Sequence, residues 1–348
     1  MAQPPISDAL MREAIDAVKQ HGSIAAAARA LGVPRQTFQH RVGSAKKFLA
    51  KFTVGDLPDD ELPVDDILAF RRKVFTRKHV AADARKLIPI TIREKGPIGI
   101  CVFGDIHIDD DGCNWPKLEA DMKSVLDTDG MFAVSIGDLQ NGWIGRLSRK
   151  WADQSTTGKQ AWRLVQWWVE TMSEKLLFIS EGNHDAWCRG VNTVSLLDWI
   201  MGYQPGISEA DGVRVELRLP KGDPVIINAR HDFAGRSQYN AAHGPTKAAL
   251  MGYRDDDILV AGHTHVSGYN PIKNPATGKV THPVRVASYK ALDDYASQRG
   301  FLDGCISESV VFLIDPHEPD KRHRILVDHS VSRGCRALTH MRADWRAK

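Results

Sequence analysis

Five apolar runs in this sequence end in side chains that can bind a metal or move a proton. ICVFG runs into Asp105-Ile106-His107, and MFAVSIG into Asp138 with Asn141 close behind. LLFISEG gives way to Asn183-His184-Asp185, VIINAR to His231-Asp232, and ILVAG to His263-Thr264-His265. Any one of these is an ordinary turn or a hydrogen-bonded structural histidine. Five in order describe a site. In Asp105-x-His107 and His263-x-His265, residues two apart on an extended backbone project to the same side, so each pair can converge on one point. Mixed imidazole and carboxylate donors suit manganese, iron or zinc better than an all-oxygen magnesium cage.

Such tips need strands behind them. IPITI and IGICVFG read as two strands, followed by alternating helices (about 116–126 and 159–173) and strands at 131–136 and 176–180. Further strands are expected at 213–220, 225–230, 258–261, 284–288 and 309–314. In an open α/β sheet, sites are built at the carboxyl ends of the strands, where all five polar tips would fall. Within the second helix, Trp162, Val165, Trp168, Val169 and Met172 follow helical spacing and read as core. Before it, Trp143, Arg146, Arg149, Lys150 and Trp151 interleave aromatic and basic groups, as a single-strand or nucleotide platform would, or as plain packing would.

With GNHD (182–185) and GHTH (262–265) both complete, residues 98–315 resemble the calcineurin-like metallophosphoesterases. The resemblance implies an αββα sandwich holding two divalent ions. Asp105, His107 and His265 would hold the first, Asn183, His231 and His263 the second, and Asp138 would bridge them. Manganese is the first choice, with iron, zinc or magnesium as alternatives. His184 is then the expected acid or transition-state stabiliser, and Asp185 the group that orients it. Two positions depart from the family pattern. GDLQN places Asn141 where many relatives carry a second aspartate, and a protein Ser/Thr phosphatase is disfavoured by the missing DRG. In HDFAGRSQYNAAHG either His231 or His243 could be the ligand. His231 is preferred because it follows its strand directly. Asn141, Arg236, Asn240 and His243 then become candidates for substrate contact, although Asn240 and His243 could simply cap the next helix.

The first fifty residues read as three short helices. Ser7 and Ser23 can cap the first two, Gly22 and Gly32 end them, and Pro34 suits the first turn of the third. Ala28, Gly32 and Phe38 resemble the helix-turn-helix of DNA-binding proteins, with Arg35, Gln36, Gln39, His40 and Arg41 on the exposed face. The expected organisation is therefore α/β, an αββα domain over 88–348 preceded by a small all-α domain over 1–52. An acidic linker and a basic helix over 53–87 would join them, with Ile67, Phe70, Val74 and Leu87 as the helix anchors. Residues 53–66 carry six acids and no base, whereas the tail from Lys321 carries eight bases and two acids and could serve as a polyanion-binding flank.

Five cysteines without a CxxC pair argue against a disulfide framework or a cysteine zinc site. No basic segment leads into an apolar stretch at the N-terminus, and no run nears the ~20 residues that cross a bilayer. A cytoplasmic protein without membrane contact is expected. The function expected is hydrolysis of nucleic-acid phosphodiesters, DNA first, by in-line attack of a metal-bridging hydroxide. The alternative is a small-nucleotide phosphodiesterase or phosphatase whose N-terminal module serves localisation or assembly. A DNA-reading helix-turn-helix is often paired by symmetry, so a homodimer is possible.

Overall fold

The computed structural model describes residues 6–52, 55, 60–192, 195–210, 212–291 and 304–348. The chain divides into two compact units, Met1–Val74 and Phe75–Lys348.

The first unit contains α1 (Asp8–His21), α2 (Ile24–Ala30) and α3 (Arg35–Phe48) around Ala14, Ala17, Ala27, Ala28, Phe38 and Val42. Alanine lets the helices approach closely, and Gly32, at φ 62°, makes the turn between α2 and α3. Ser23 caps α2 by accepting from the Ala26 N–H, whereas Ser7 stands at the start of α1 without a side-chain cap bond. Pro34 sits one residue before α3 rather than inside its first turn. The boundary between the units falls within α4 (Val64–Ala84), which buries none of its residues. The expected anchors therefore do not anchor. Ile67 and Phe70 are exposed, Val74 is half-buried, and Leu87 lies beyond the helix end.

The second unit carries two sheets. One runs β13 (Ile325–Asp328), β12 (Ser309–Ile314), β2 (Ile98–Phe103), β3 (Met131–Ser135), β4 (Leu176–Ser180) and β5 (Ile207–Glu209), with β2 through β5 mutually parallel. The other runs β1 (Ile88–Thr91), β6 (Val213–Arg218), β7 (Val225–Ala229), β8 (Ile258–Ala261), β11 (Val280–Arg285) and β10 (Ile272–Lys273). The short β9 (Gly268–Tyr269) also pairs with β11. Neighbours β7, β8 and β11 are parallel.

Alternation along the strands builds the layers. Ile98, Ile100 and Val102 of β2 join Val310 and Phe312 of β12 against Val215, Ile227 and Val260 of the second sheet. The opposite faces, Cys101, Phe103, Val311 and Leu313, meet α5 (Trp115–Asp127), α6 (Gly158–Met172), α8 (Leu196–Met201) and the last helix, Val331–Ala347. On the far side, Leu259 and Ala261 pack under α9 (His243–Met251). The result is helix, sheet, sheet, helix. Strands buried on both faces explain why β2 and β12 read as unbroken apolar runs.

Three expectations change. β11 begins at Val280, four residues before the expected strand. Trp162 is on the outer face of α6 and 38% exposed, while Val165, Trp168, Val169 and Met172 are buried as core. The basic tail is not a free flank, because it forms β13 and the last helix and several of its charges are paired. Arg322 meets Asp320, Arg333 meets Asp328, and Lys321 meets Asp223. Arg342 is buried, donating to the carbonyls of Lys95 and Pro97 and to the carboxylates of Glu94 and Asp129. Its removal leaves the buried Pro97 carbonyl without that donor. Arg342→Ala is expected to lower stability by roughly 2–4 kcal/mol, read by denaturant unfolding. An unchanged midpoint would mean that the last helix docks by its apolar face alone.

A candidate dimetal centre

Each polar tip stands at the carboxyl end of a parallel strand: β2, β3 and β4 in one sheet, β7 and β8 in the other. Among the described residues, only four that are not glycine have a left-handed backbone: His107 (φ 46°), Asp138 (49°), His263 (69°) and His265 (54°). All four belong to the tips. Such strain costs on the order of 1 kcal/mol or more per residue and persists where the surroundings impose it. The glycines beside the tips are equally constrained. A Cβ on Gly182 would collide with the Asp138 carboxylate, and one on Gly262 with Asp105 Oδ1 and the side chain of Ile136.

The seven expected ligands converge. Asp105, His107 and His265 bring donor atoms within 4.8 Å of one another, as do Asp138, His231 and His263. Asn183, which the carboxylate-and-imidazole pattern does not include, places its Oδ1 3.0 Å from His231 Nε2. Around that same nitrogen stand Asp138 Oδ2 and His263 Nδ1, each at 3.1 Å. His231 Nδ1 faces the Ile136 carbonyl at 2.9 Å and must donate to it, so a neutral ring presents a lone pair at Nε2. Lone pairs then crowd one point, and only a proton or a cation reconciles them. Donors around a six-coordinate ion bonded at about 2.1 Å stand roughly 3 Å apart, which is this spacing.

The other cluster shows the same need. His107 donates through Nδ1 to Asn141 Oδ1 at 2.9 Å, leaving Nε2 buried with no hydrogen-bond partner, and Asp105 Oδ1 is buried in the same condition. The residues present therefore fit two cations. His243 lies outside these clusters, at the start of α9, so the geometry favours His231 at the contested position.

Charge follows the geometry. Burial opposes a proton on His231, but Asp138 and Asp105 beside it hold the ring's pKa up at about 10. Burial likewise opposes ionisation of Asp138, and there His231, His184 and His107 prevail and keep it below the usual carboxylate range. Burial pushes Asp105 up to about 6. Burial and the neighbouring His184 hold His107 well below an ordinary imidazole. A metal must therefore displace the His231 proton. Because that proton is held to about pH 10, acid weakens metal uptake. Apparent affinity for the ion at His231 should tighten about tenfold per pH unit from about pH 6 to 9, with about one proton released on its binding, read by calorimetry in buffers of different ionisation enthalpy. Affinity independent of pH over that span would contradict this arrangement.

Asn141 and Asp185 carry tasks other than those expected. Asn141 is fully buried, with every polar group engaged. Its amide oxygen holds His107, and its Nδ2 donates to Asp110 and Gln154 at 2.8 and 3.0 Å. Its N–H donates to Asp109 at 2.7 Å, and its carbonyl accepts from His184 Nδ1. It positions both histidines and has nothing left for a substrate. Asp185 does not orient His184. Its oxygens accept the N–H groups of Gly182 (3.0 Å) and Leu139 (3.3 Å), closing the β4 tip onto α7 (Asn183–Asn192) and tying it to the β3 tip. Burial and the Asp138 charge raise its pKa to about 7. The free N–H of His184 at the start of α7 donates to Asp138 Oδ1 at 2.9 Å. Asn141→Ala should reduce both metal affinity and kcat about 10–100-fold, since groups that orient ligands contribute on that scale. A variant with unchanged metal affinity would place the orientation of His107 elsewhere.

Of the remaining candidates, Arg236 is exposed and paired with Asp232, while Asn240 Oδ1 accepts from the Ala242 N–H and leads into α9. Asn240 is thus a turn residue. In the first unit Arg35, Gln36, Gln39 and His40 are exposed on α3 and Arg41 is half-buried. The platform residues lie on or beside a 3-10 turn, Gly145–Asp153, where Lys150 sits over the Trp143 ring and Trp151 donates to the Trp143 carbonyl.

Three contributors were not anticipated. Trp187 follows GNHDA directly and packs against His184 at 4.2 Å between centroids, the two rings tilted by 44°; the i, i+3 spacing on a helix was its signal. Gln154 and Asp109 brace Asn141 from far along the chain, and nothing in their local sequence announces it.

No family model matches the chain, and no curated protein matches it. Solved structures with distant likeness include Vps29 of Entamoeba histolytica complexed with zinc, at 14% identity and TM-score 0.33, covering 66% of this chain and 97% of that one. A Staphylococcus aureus protein provisionally assigned as a 5′-nucleotidase, in complex with alpha-ketoglutarate, follows at 12% and 0.37. There the match covers 72% of this chain but spans only 58% of the other. A conserved Streptococcus pneumoniae protein, classed by prediction as a phosphoesterase, gives 13% and 0.28 over 68% of this chain and 100% of that one. At these scores the likenesses carry no argument, and the metal centre stands on its own geometry.

Proposed function

We propose that the chain is a calcineurin-like metallophosphoesterase that hydrolyses phosphodiester bonds of nucleic acid, DNA first, with two divalent ions, manganese as the first choice. The observation that carries this reading is the convergence of seven donor residues from five strand tips, four of them with strained backbones. Asp105, His107 and His265 would hold one ion, Asn183, His231 and His263 the other, and Asp138 both. Bound there, the ions supply an activated water and offset the charge of a phosphate between them.

The chain's own groups do the rest. His184 gives its Nδ1–H to the Asn141 carbonyl, which leaves Nε2 to hold a proton for the departing oxygen. Trp187 and Trp143 flank that ring, the second at 5.3 Å, and offer a nucleobase a stacking wall that also keeps out water. Arg236 and His243 would serve as phosphate contacts. The exposed Arg35, Gln36, Gln39 and His40, with Arg41, would bring duplex DNA, and two such units would pair as a homodimer. Among the described residues no helix is long and apolar enough to cross a membrane.

The test is a manganese-supplemented cleavage assay on end-labelled single-stranded, duplex and closed-circular DNA beside bis-p-nitrophenyl phosphate. DNA cleavage by the native chain supports the nuclease. Hydrolysis of the small diester alone moves the assignment to a small-nucleotide phosphodiesterase, which the indole wall beside His184 would also serve. Hydrolysis of neither overturns the proposal.

A further inference from the structure

A second aromatic surface lies on the helical layer away from the metal centre. Gly158, Lys159, Trp162, Arg163 and Gln166 of α6 line a groove of about 670 Å³ with Leu196 and Trp199 of α8. Trp162 is 38% and Trp199 52% exposed, and Tyr203 meets Trp199 edge-on at 6.3 Å. An indole left this open, in a helix that buries Val165, Trp168, Val169 and Met172, forfeits burial worth about 1.5–3 kcal/mol for a large apolar side chain. The packing of the domain does not call for it. The groove's charge has one sign. Lys159 and Arg163 are exposed, neither side chain has a hydrogen bond or ion pair among the described residues, and no carboxylate lines the groove.

Stacking faces beside free cations match one class of ligand: unpaired bases on a phosphate backbone. We infer that this groove binds single-stranded nucleic acid outside the metal centre, with bases on Trp162 and Trp199 and phosphates at Lys159 and Arg163. The inference deepens the nuclease reading and rests on it for its biological use, but its binding step is separable. The helices lining the groove adjoin the catalytic elements in sequence, α6 leading into β4 and α8 following α7.

The test is fluorescence anisotropy of labelled oligothymidylate on the full chain in a His184→Ala background, so that nothing is cut. Trp162→Ala/Trp199→Ala should weaken binding about tenfold or more, and so should Lys159→Glu/Arg163→Glu, which keeps both indoles. An abasic oligomer of equal length and charge should bind the unaltered groove at least about tenfold more weakly. The tryptophan variant, made in the native chain, should hydrolyse bis-p-nitrophenyl phosphate at the native rate. Oligothymidylate binding unchanged by both double variants overturns the inference and leaves the face to a protein partner. Equal affinity for the abasic oligomer also overturns it, because the groove would then be reading charge alone. If the native chain hydrolyses no diester while groove-dependent binding holds, the metal reading fails and this one stands.

Discussion

Asp138→Asn is expected to lower turnover of any phosphodiester substrate by about 10³-fold or more, in a protein that still folds. The substitution keeps shape and removes one charge. That charge lies at the centre of the site, with Oδ2 3.1 Å from His231 and 3.9 Å from both His107 and His184. A bridging carboxylate is what allows two dications to sit side by side, and their combined stabilisation of a transferring phosphoryl group amounts to several kcal/mol, about 4 kcal/mol being 10³-fold. The variant should also bind manganese more weakly. A variant retaining a tenth or more of the native rate would mean that Asp138 bridges nothing.

His184→Ala separates chemistry from metal binding. Its Nδ1 is committed to the Asn141 carbonyl, and its ring is held between Trp187 and Trp143 with Nε2 directed toward Asp138. Loss of a positioned acid should reduce kcat by about 10²–10⁴-fold, with KM nearly unchanged and metal content retained. The loss should be smaller for bis-p-nitrophenyl phosphate, whose leaving group needs little protonation, than for an alkyl diester. If metal content falls with activity, His184 is a ligand. The geometry admits that outcome, since His107, Asp138 and His184 also bring donor atoms within 4.8 Å of one another.

The strand tips were legible because both of their signals are local. An apolar run marks a buried strand, and the glycine and polar residues after it mark the edge where the chain turns. The order of strands in two sheets was not legible, since pairing is decided by distant partners: β12 lies antiparallel beside β2 although about two hundred residues separate them. Residue type misled where burial decides the role. Asn141 reads as a substrate contact only while it is thought exposed; fully buried, it orients two imidazoles. Asp185 reads as the partner of its neighbour His184, but successive residues on a helix point in different directions, so its carboxylate turns to backbone N–H groups instead. Trp162 matches the helical period of the core and still faces out, because a period fixes a stripe and not its width. The basic tail misled for a related reason. Net charge counts Arg342 and Arg346 without the glutamate and the aspartate that the fold brings to them from residues 94 and 129.

Metal stoichiometry tests the central claim most directly. Native mass spectrometry of the metal-free chain titrated with Mn²⁺ at neutral pH should reveal two tightly bound ions in the native protein, and fewer in Asp138→Asn and His231→Ala. A native chain that takes up no ion, or one whose uptake is unaltered by both substitutions, would contradict the dimetal centre and the hydrolytic function built on it.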